Sequence, residues 1–269
     1  MRLLSQLFVE LNFPLPAHFN GVIPLAAGAE RIGRRFLREQ VHDPVIREKL
    51  TPQYGLGCKR PGFHNDYLAT FNRDNVVLET TAIEAIIPSG VRTIDGTEHE
   101  VDVLVLATGF KVFEPGSISY PIRGVGGVDL EQWWAVNRHQ AYQGVSVPGF
   151  PNMFSIIGPY AFNGASYFHL IEAQMRHITR CLSRARQTGS THVEITKHAN
   201  ARYFESMLAR RDNQIFFQAT CATANSYYLD QHGDVPFRAS PSLEVNWDSA
   251  RFNLDNYRFQ RRPAATAAA

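Results

Sequence analysis

Cysteine is scarce in this chain: Cys58, Cys181 and Cys221 are the three among 269 residues, and none belongs to a C-x-x-C pair. Any single bridge would leave one over, so the spacing argues against a disulfide scaffold and a zinc ribbon and for a reducing, cytoplasmic setting. Charge of one sign is equally short. Lys plus Arg number 27 and Asp plus Glu 25, an excess too small to make nucleic acid the expected partner. Long apolar runs are missing as well: residues 11–29 hold no Lys, Arg, Asp or Glu, yet Pro14, Pro16 and Pro24 would break a spanning helix. The apolar start, 1–9, is cut short by Glu10 and Asn12 and meets no A-x-A pattern. Neither a membrane span nor a signal peptide is expected.

Two catalytic signatures are absent too. The run nearest to a nucleophile elbow, Gly144-Val145-Ser146-Val147-Pro148, has Pro where the last Gly belongs, which removes that class of hydrolase. His64, His169, His177, His192 and His198 are scattered and form no H-E-x-x-H, so they read as ordinary surface histidines rather than metal ligands.

What is there, 44% hydrophobic and 12% aromatic residues, suits one large globular domain or two small ones. Residues 29–50 are helical in pattern, with Ile32, Phe36, Leu37, Val41, Ile46 and Leu50 apolar amid Arg and Glu. Asp43 followed by Pro44 reads as an N-cap and first-turn proline, which predicts two helices. After a glycine-rich turn, 54–62, the period changes. Segments 76–79, 83–87, 91–94 and 101–106 read as short strands separated by Ser89-Gly90 and Asp95-Gly96 turns.

The last of these is almost wholly apolar and runs into Ala107-Thr108-Gly109. Such a run predicts a strand covered on both faces, with small residues at its carboxyl end where a ligand or another backbone could approach. Residues 153–157, followed by Gly158, predict a second buried strand, and Asn163-Gly164 lies just beyond. A long amphipathic helix is expected over 166–187, an edge strand over 192–196 and another helix over 199–211. Arg176, Arg180 and Arg184 read as a solvated stripe. Residues 216–228 are aromatic-rich without a period, and the tail, 263–269, is of low complexity and expected to be disordered.

The most pointed local feature is Cys58-Lys59-Arg60-Pro61, in the glycine-rich turn. Adjacent Lys and Arg there read either as a plain surface pair or as an anion site, in which Lys offers a compact charge and Arg a permanently protonated fork.

Five strings in order carry a resemblance: Gly57-Cys58-Lys59-Arg60-Pro61; Phe71-Asn72-Arg73-Asp74-Asn75-Val76; Asp102 through Leu106 with Ala107-Thr108-Gly109-Phe110; Gly149-Phe150-Pro151-Asn152-Met153-Phe154; and Gly158-Pro159. Over residues 29–258 the chain resembles the C-terminal half of Baeyer–Villiger-type flavin-containing monooxygenases. The resemblance implies an α/β fold: an incomplete FAD- and NAD(P)-binding, Rossmann-like two-domain architecture with a small β meander and a helical C-terminal part. Residues 1–110 would belong to an NADPH-binding domain, 111–262 to the C-terminal part of an FAD-binding domain, and 263–269 to the tail.

By the same resemblance, Lys59 would recognise the 2′-phosphate of NADPH, and Arg60 would be the active-site cation that steadies negative charge on the reduced flavin and its peroxide. Ala107, Thr108 and Gly109 would mark the return into the FAD domain, Gly158 and Asn163 would line the isoalloxazine pocket, and Tyr227 would stand where many members place a nicotinamide-contacting Trp. The implied cofactors are FAD and NADPH, with O₂ and a small ketone or a nitrogen- or sulfur-containing compound as substrates. No metal is implied.

The departures are as pointed. The family's two G-x-G fingerprints and the F-x-G-x-x-x-H string between them are missing: Gly55-Leu56-Gly57 and Gly124-Val125-Gly126 lack the third glycine, and Phe19-Asn20-Gly21 is followed by Leu25 where His belongs. Without those helix N-termini neither pyrophosphate has its main anchor. The chain therefore reads as about half an enzyme. Either a separate N-terminal half completes it as a monooxygenase, or it is a non-catalytic remnant or interaction module that no longer binds FAD.

Overall fold

A computed structural model describes residues 2–22, 26–62, 64–110, 112–113 and 118–261. The Ala-rich tail, 263–269, lies outside them.

The N-terminal part is helical: α1 (Arg2–Asn12), α2 (Pro14–His18), α3 (Ala26–Gln40), α4 (Pro44–Leu50) and the single turn α5 (Tyr67–Thr70). The break between α3 and α4 falls where the Asp43-Pro44 pair predicts it. Asp43 Oδ1 accepts from Val45 N at 2.7 Å and Ile46 N at 3.3 Å, and Pro44 takes a first-turn position whose amide would have no partner. An antiparallel meander follows, β1 (Ile83–Ile87), β2 (Gly90–Thr93) and β3 (Glu98–Glu100), with Ile86 opposite Val91 and Val91 opposite His99. Gly90 is obligatory there, because a Cβ would lie 2.0 Å from the His99 carbonyl oxygen. At the next turn the Asp95 carboxylate accepts from the Thr93 hydroxyl at 2.6 Å and the Thr97 amide at 3.1 Å.

The C-terminal part is built around α7 (Tyr167–Thr188), preceded by α6 (Leu130–Asn137), which Asp129 caps. The 22-residue α7 buries Leu170, Ala173, Gln174, His177, Ile178, Cys181 and Ala185, a stripe at three- and four-residue spacing, and Gly189 closes it in the left-handed conformation. It packs against α9 (Ser242–Arg251) and a two-stranded sheet, β4 (His192–Ile195) with β5 (Tyr257–Gln260), antiparallel with Ile195 opposite Tyr257. Helix α8 (Lys197–Leu208) follows β4 directly, with Thr196 as N-cap. The main core joins Tyr142, Cys181, Ala185, Val193, Ile195, Ala199, Phe252 and Tyr257. Residues 149–152 dock on β4: Asn152 N donates to Val193 O and Asn152 Oδ1 accepts from Val193 N, both at 2.9 Å.

Four sequence-based expectations are corrected. Residues 76–79 and 101–106 form no strand, and the second run is exposed, Val103 at 77% and Val105 at 80%. A strand covered on both faces needs flanking strands and covering layers, and the described residues supply neither. Residues 153–157 are not a strand either: Ser155 N donates to Val145 O at 2.8 Å, but Ile157 has φ 55° and gives its amide to Gln174 Oε1 at 2.7 Å. The arginine stripe is not merely solvated. Arg180 donates to Phe252 O at 3.0 Å with its guanidinium 4.2 Å from that ring, and Arg176 reaches Asn246 Oδ1 at 3.2 Å. His177 and His192 are buried rather than surface residues. No described helix is long and apolar enough to cross a membrane.

Candidate functional site

The turn bearing Lys59 and Arg60 is fastened to the segment that follows α8. Gly55 N donates to Thr220 O at 3.1 Å, and Leu56 N donates to Glu30 Oε1 at 3.2 Å. Gly57, at φ 97°, lets the chain reverse against Ile215, whose Cδ1 would be 2.8 Å from a Cβ. Cys58 is bonded to Cys221 with Cα atoms 5.2 Å apart, a single bridge that leaves one cysteine over. Cys181 is the free one and is buried elsewhere, in the main core.

From this anchored turn Lys59 places Nζ 5.0 Å from the Tyr54 ring centroid, and Arg60 is exposed. Neither is in an ion pair among the described residues. Burial, and then its neighbour Tyr227, push the Tyr228 phenol well up, while the Arg60 cation pulls it down. The Tyr228 ring packs 4.6 Å from Tyr227, 5.4 Å from Phe216 and 5.1 Å from Phe237. Phe237 continues to Phe162 at 5.3 Å, which stacks on Tyr167, the first residue of α7. These rings form a wall of aromatic faces with Tyr227 37% exposed, and of the two adjacent cations Lys59 lies over Tyr54 while the charge of Arg60 acts on Tyr228. Such a combination holds an anionic, flat-ringed ligand by charge and by stacking.

The remaining expected site residues lie apart from this wall. Ala107, Thr108 and Gly109 are exposed beyond the unpaired apolar run, Gly109 with φ 95°. Gly158 is pressed against the backbone of Gly144, whose carbonyl oxygen would be 2.6 Å from a Cβ. Asn163 is fully buried: its Nδ2 donates to Ser240 O at 3.0 Å and Ser242 Oγ at 3.3 Å, and its Oδ1 accepts from Ala165 N at 3.0 Å. His18 Nε2 faces its carbonyl at 3.0 Å. The adjacent cations Lys59 and Arg60 suit a phosphate, whereas Asn163, with no polar atom to spare, and the uncovered 107–109 stretch do not by themselves fit a flavin.

Sequence reasoning missed Tyr54, Tyr228, Phe216 and Phe237. The signal for two of them, Phe216 and Tyr228, was the aromatic density of 216–228, which lacks a period because the segment is a string of short 3-10 turns, 215–217 and 219–221 among them. It also missed the partner of Cys58, since nothing in a spacing of 163 residues marks a bridge.

No family model matches the chain. Among curated proteins, a Baeyer-Villiger monooxygenase of Streptomyces coelicolor is 34% identical over 199 residues, 72% of this chain and 32% of the relative. One of Pseudomonas aeruginosa is 29% identical over 201 residues, 74% of this chain and 37% of its own length. The 2-oxo-Delta(3)-4,5,5-trimethylcyclopentenylacetyl-CoA monooxygenase of Pseudomonas putida is 32% identical over 200 residues. The chain thus spans about a third of the curated relatives it matches. Among solved structures, the OTEMO complex with FAD and NADP aligns with TM-score 0.76 at 28% identity over 87% of this chain and 44% of that one. Oxidized steroid monooxygenase bound to NADP aligns with TM-score 0.78 at 26% identity over 93% and 48%. With a relative 34% identical over 72% of its length and solved monooxygenases matching its fold, the chain belongs to the Baeyer–Villiger-type flavin-containing monooxygenases, of whose length it spans a part.

Proposed function

We propose that this chain is the nicotinamide-facing part of a flavin-dependent monooxygenase that uses NADPH and O₂ to oxygenate a small ketone or a soft nitrogen or sulfur centre. Completion requires an FAD-binding portion carrying the G-x-G fingerprints. The single observation behind this reading is the exposed 101–106 run: six consecutive residues, five of them apolar, end in Ala107-Thr108-Gly109 without a neighbouring strand. Leaving Val103, Val105 and Leu106 in water is unfavourable by about 25 cal/mol for each Å² of apolar surface, and a flanking parallel strand with covering helices would remove it. Bound there, FAD would supply the oxygen-activating chemistry.

This chain's own residues have narrower roles. Lys59 pairs with the 2′-phosphate, a doubly negative group that a compact ammonium matches. Arg60 stays protonated at any working pH, so it offsets negative charge at the reacting centre without a tuned pKa, while a Lys in its place could lose its proton in a dry pocket. Tyr227 offers a ring face to the nicotinamide.

A second reading, a remnant or interaction module without cofactor, is favoured by the internal engagement of Asn163. Co-expression with the portion of the Streptomyces coelicolor relative that this chain does not match separates the two. A yellow complex that consumes NADPH in the presence of a ketone supports the enzyme, and a colourless chain that never co-purifies with that portion supports the module.

A further inference from the structure

Cys58 immediately precedes the two cations, and Cys221 opens the stretch leading to Tyr227 and Tyr228. Both are buried, 1% and 7% exposed, and their bond joins positions 163 residues apart. Apart from it, the turn is held by the Gly55 to Thr220 and Leu56 to Glu30 hydrogen bonds, by the Lys59 contact with the Tyr54 ring and by apolar contact with Ile215 and Ala224. The neighbouring residues, 60–62, are exposed and make no backbone hydrogen bond. So short a set of non-covalent links leaves the bond as the main restraint on where Lys59 and Arg60 point.

We propose that Cys58 and Cys221 are a redox-dependent positioning pair, whose bond holds the Lys59-Arg60 turn against the 215–224 segment and whose reduction releases it. Formation takes two electrons and two protons from the two thiols. A hydroperoxide accepts them: its O–O bond breaks and, for hydrogen peroxide, two waters leave. In the reverse direction a dithiol attacks one sulfur as thiolate, a mixed disulfide forms, and the second thiol of the reductant closes its own ring to expel the cysteine. Cys181 stays out of this exchange. Burial pushes its thiol up to about 12, and it sits in the main core rather than with the pair. The tether itself stands on this geometry alone; only its consequence for nucleotide binding rests on the reading of Lys59 as the phosphate ligand.

The test uses the full chain. Alkylation after denaturation should label one cysteine without reductant and three with it; three labels in both samples overturn the proposal. Hydrogen exchange followed by mass spectrometry should then show, on adding dithiothreitol, about tenfold faster exchange in 54–62 and 216–222 and no change in β4 and β5. A uniform change, or none, overturns it. With 2′,5′-ADP as the probe, reduction should weaken binding by about fivefold or more while the unfolding midpoint of the core is kept. Equal affinity in both states overturns the positioning role. If the oxidised chain binds no 2′,5′-ADP but exchange changes as expected, the tether holds and the phosphate reading of Lys59 fails. Cys221→Ser should reproduce the reduced state and Cys181→Ser the oxidised one; should Cys221→Ser not fold, reduction of the unaltered chain gives the same information.

Discussion

Lys59 is half-buried against the Tyr54 ring, whereas Arg60 is exposed, so equal charges one residue apart meet different surroundings. In the completed enzyme Lys59→Ala should raise KM for NADPH by roughly ten- to a hundredfold with little change for NADH, since a charge-assisted contact contributes about 1.5 to 3 kcal/mol. Arg60→Ala should abolish oxygenation while leaving FAD bound. Steady-state kinetics with both nicotinamides check this pair, and equal losses on NADPH and NADH would remove the phosphate assignment. Two buried histidines make a separate prediction. Burial lowers His18 to about 4 and His177 to about 3; His177 Nδ1 lies 3.1 Å from Gln143 Oε1 and Nε2 2.8 Å from Tyr257 Oη, with the ring stacked on Phe252. Folding favours the neutral ring, so the unfolded chain binds more protons. The stabilisation is complete above the ordinary histidine pKa and is lost as pH falls from about 6.5 toward the folded values, on the order of 3 kcal/mol for each ring. Urea unfolding at pH 7, 5.5 and 4.5 should show a falling midpoint, shallower in His177→Gln; a flat profile would contradict the burial argument.

Elements whose signals are local were legible in the sequence, and those that depend on partners were not. Asp43-Pro44 marks a helix start by its own chemistry, and the α7 stripe repeats over 22 residues, so both could be read from pattern. Residues 101–106 have the composition of a central strand, yet hydrogen bonds to neighbouring strands make a strand, and this chain provides none among its described residues. The contrast is testable. Ile195→Ala in β4, a residue 1% exposed in the main core, should destabilise the isolated chain by about 2 to 4 kcal/mol in a denaturant titration. Val105→Asp, at a residue 80% exposed, should change that stability by less than about 0.5 kcal/mol. Yet it should prevent capture of the FAD-binding portion, because a carboxylate would then be buried between strands. Loss of stability from Val105→Asp in the chain alone would mean that the run is already packed.

For the whole molecule, the site was legible as far as it was contiguous in sequence. Lys59-Arg60 stood out in their turn, but the aromatic wall is assembled from α7, from 216–228 and from Phe237, and only folding brings these together. Asn163 drew notice as part of a small-residue junction, and the fold uses it as an internal tie between 163–165 and the start of α9. As purified, the chain should bind FAD weakly or not at all, because contacts on the isoalloxazine side do not replace a pyrophosphate loop on a helix N-terminus. A preparation that stays yellow after desalting, with stoichiometric flavin absorbance, would contradict this.

The Cys58–Cys221 bond also makes the polypeptide a lariat: residues 58–221 form a closed loop with two free ends, and the uncovered 101–106 stretch lies on that loop. A protease that cuts there opens the loop without dividing the molecule. The nicked chain should run as one species on a non-reducing gel and as two once the sulfurs are separated, with the piece bearing Lys59 and Arg60 still attached until then to the piece bearing Tyr227 and Tyr228.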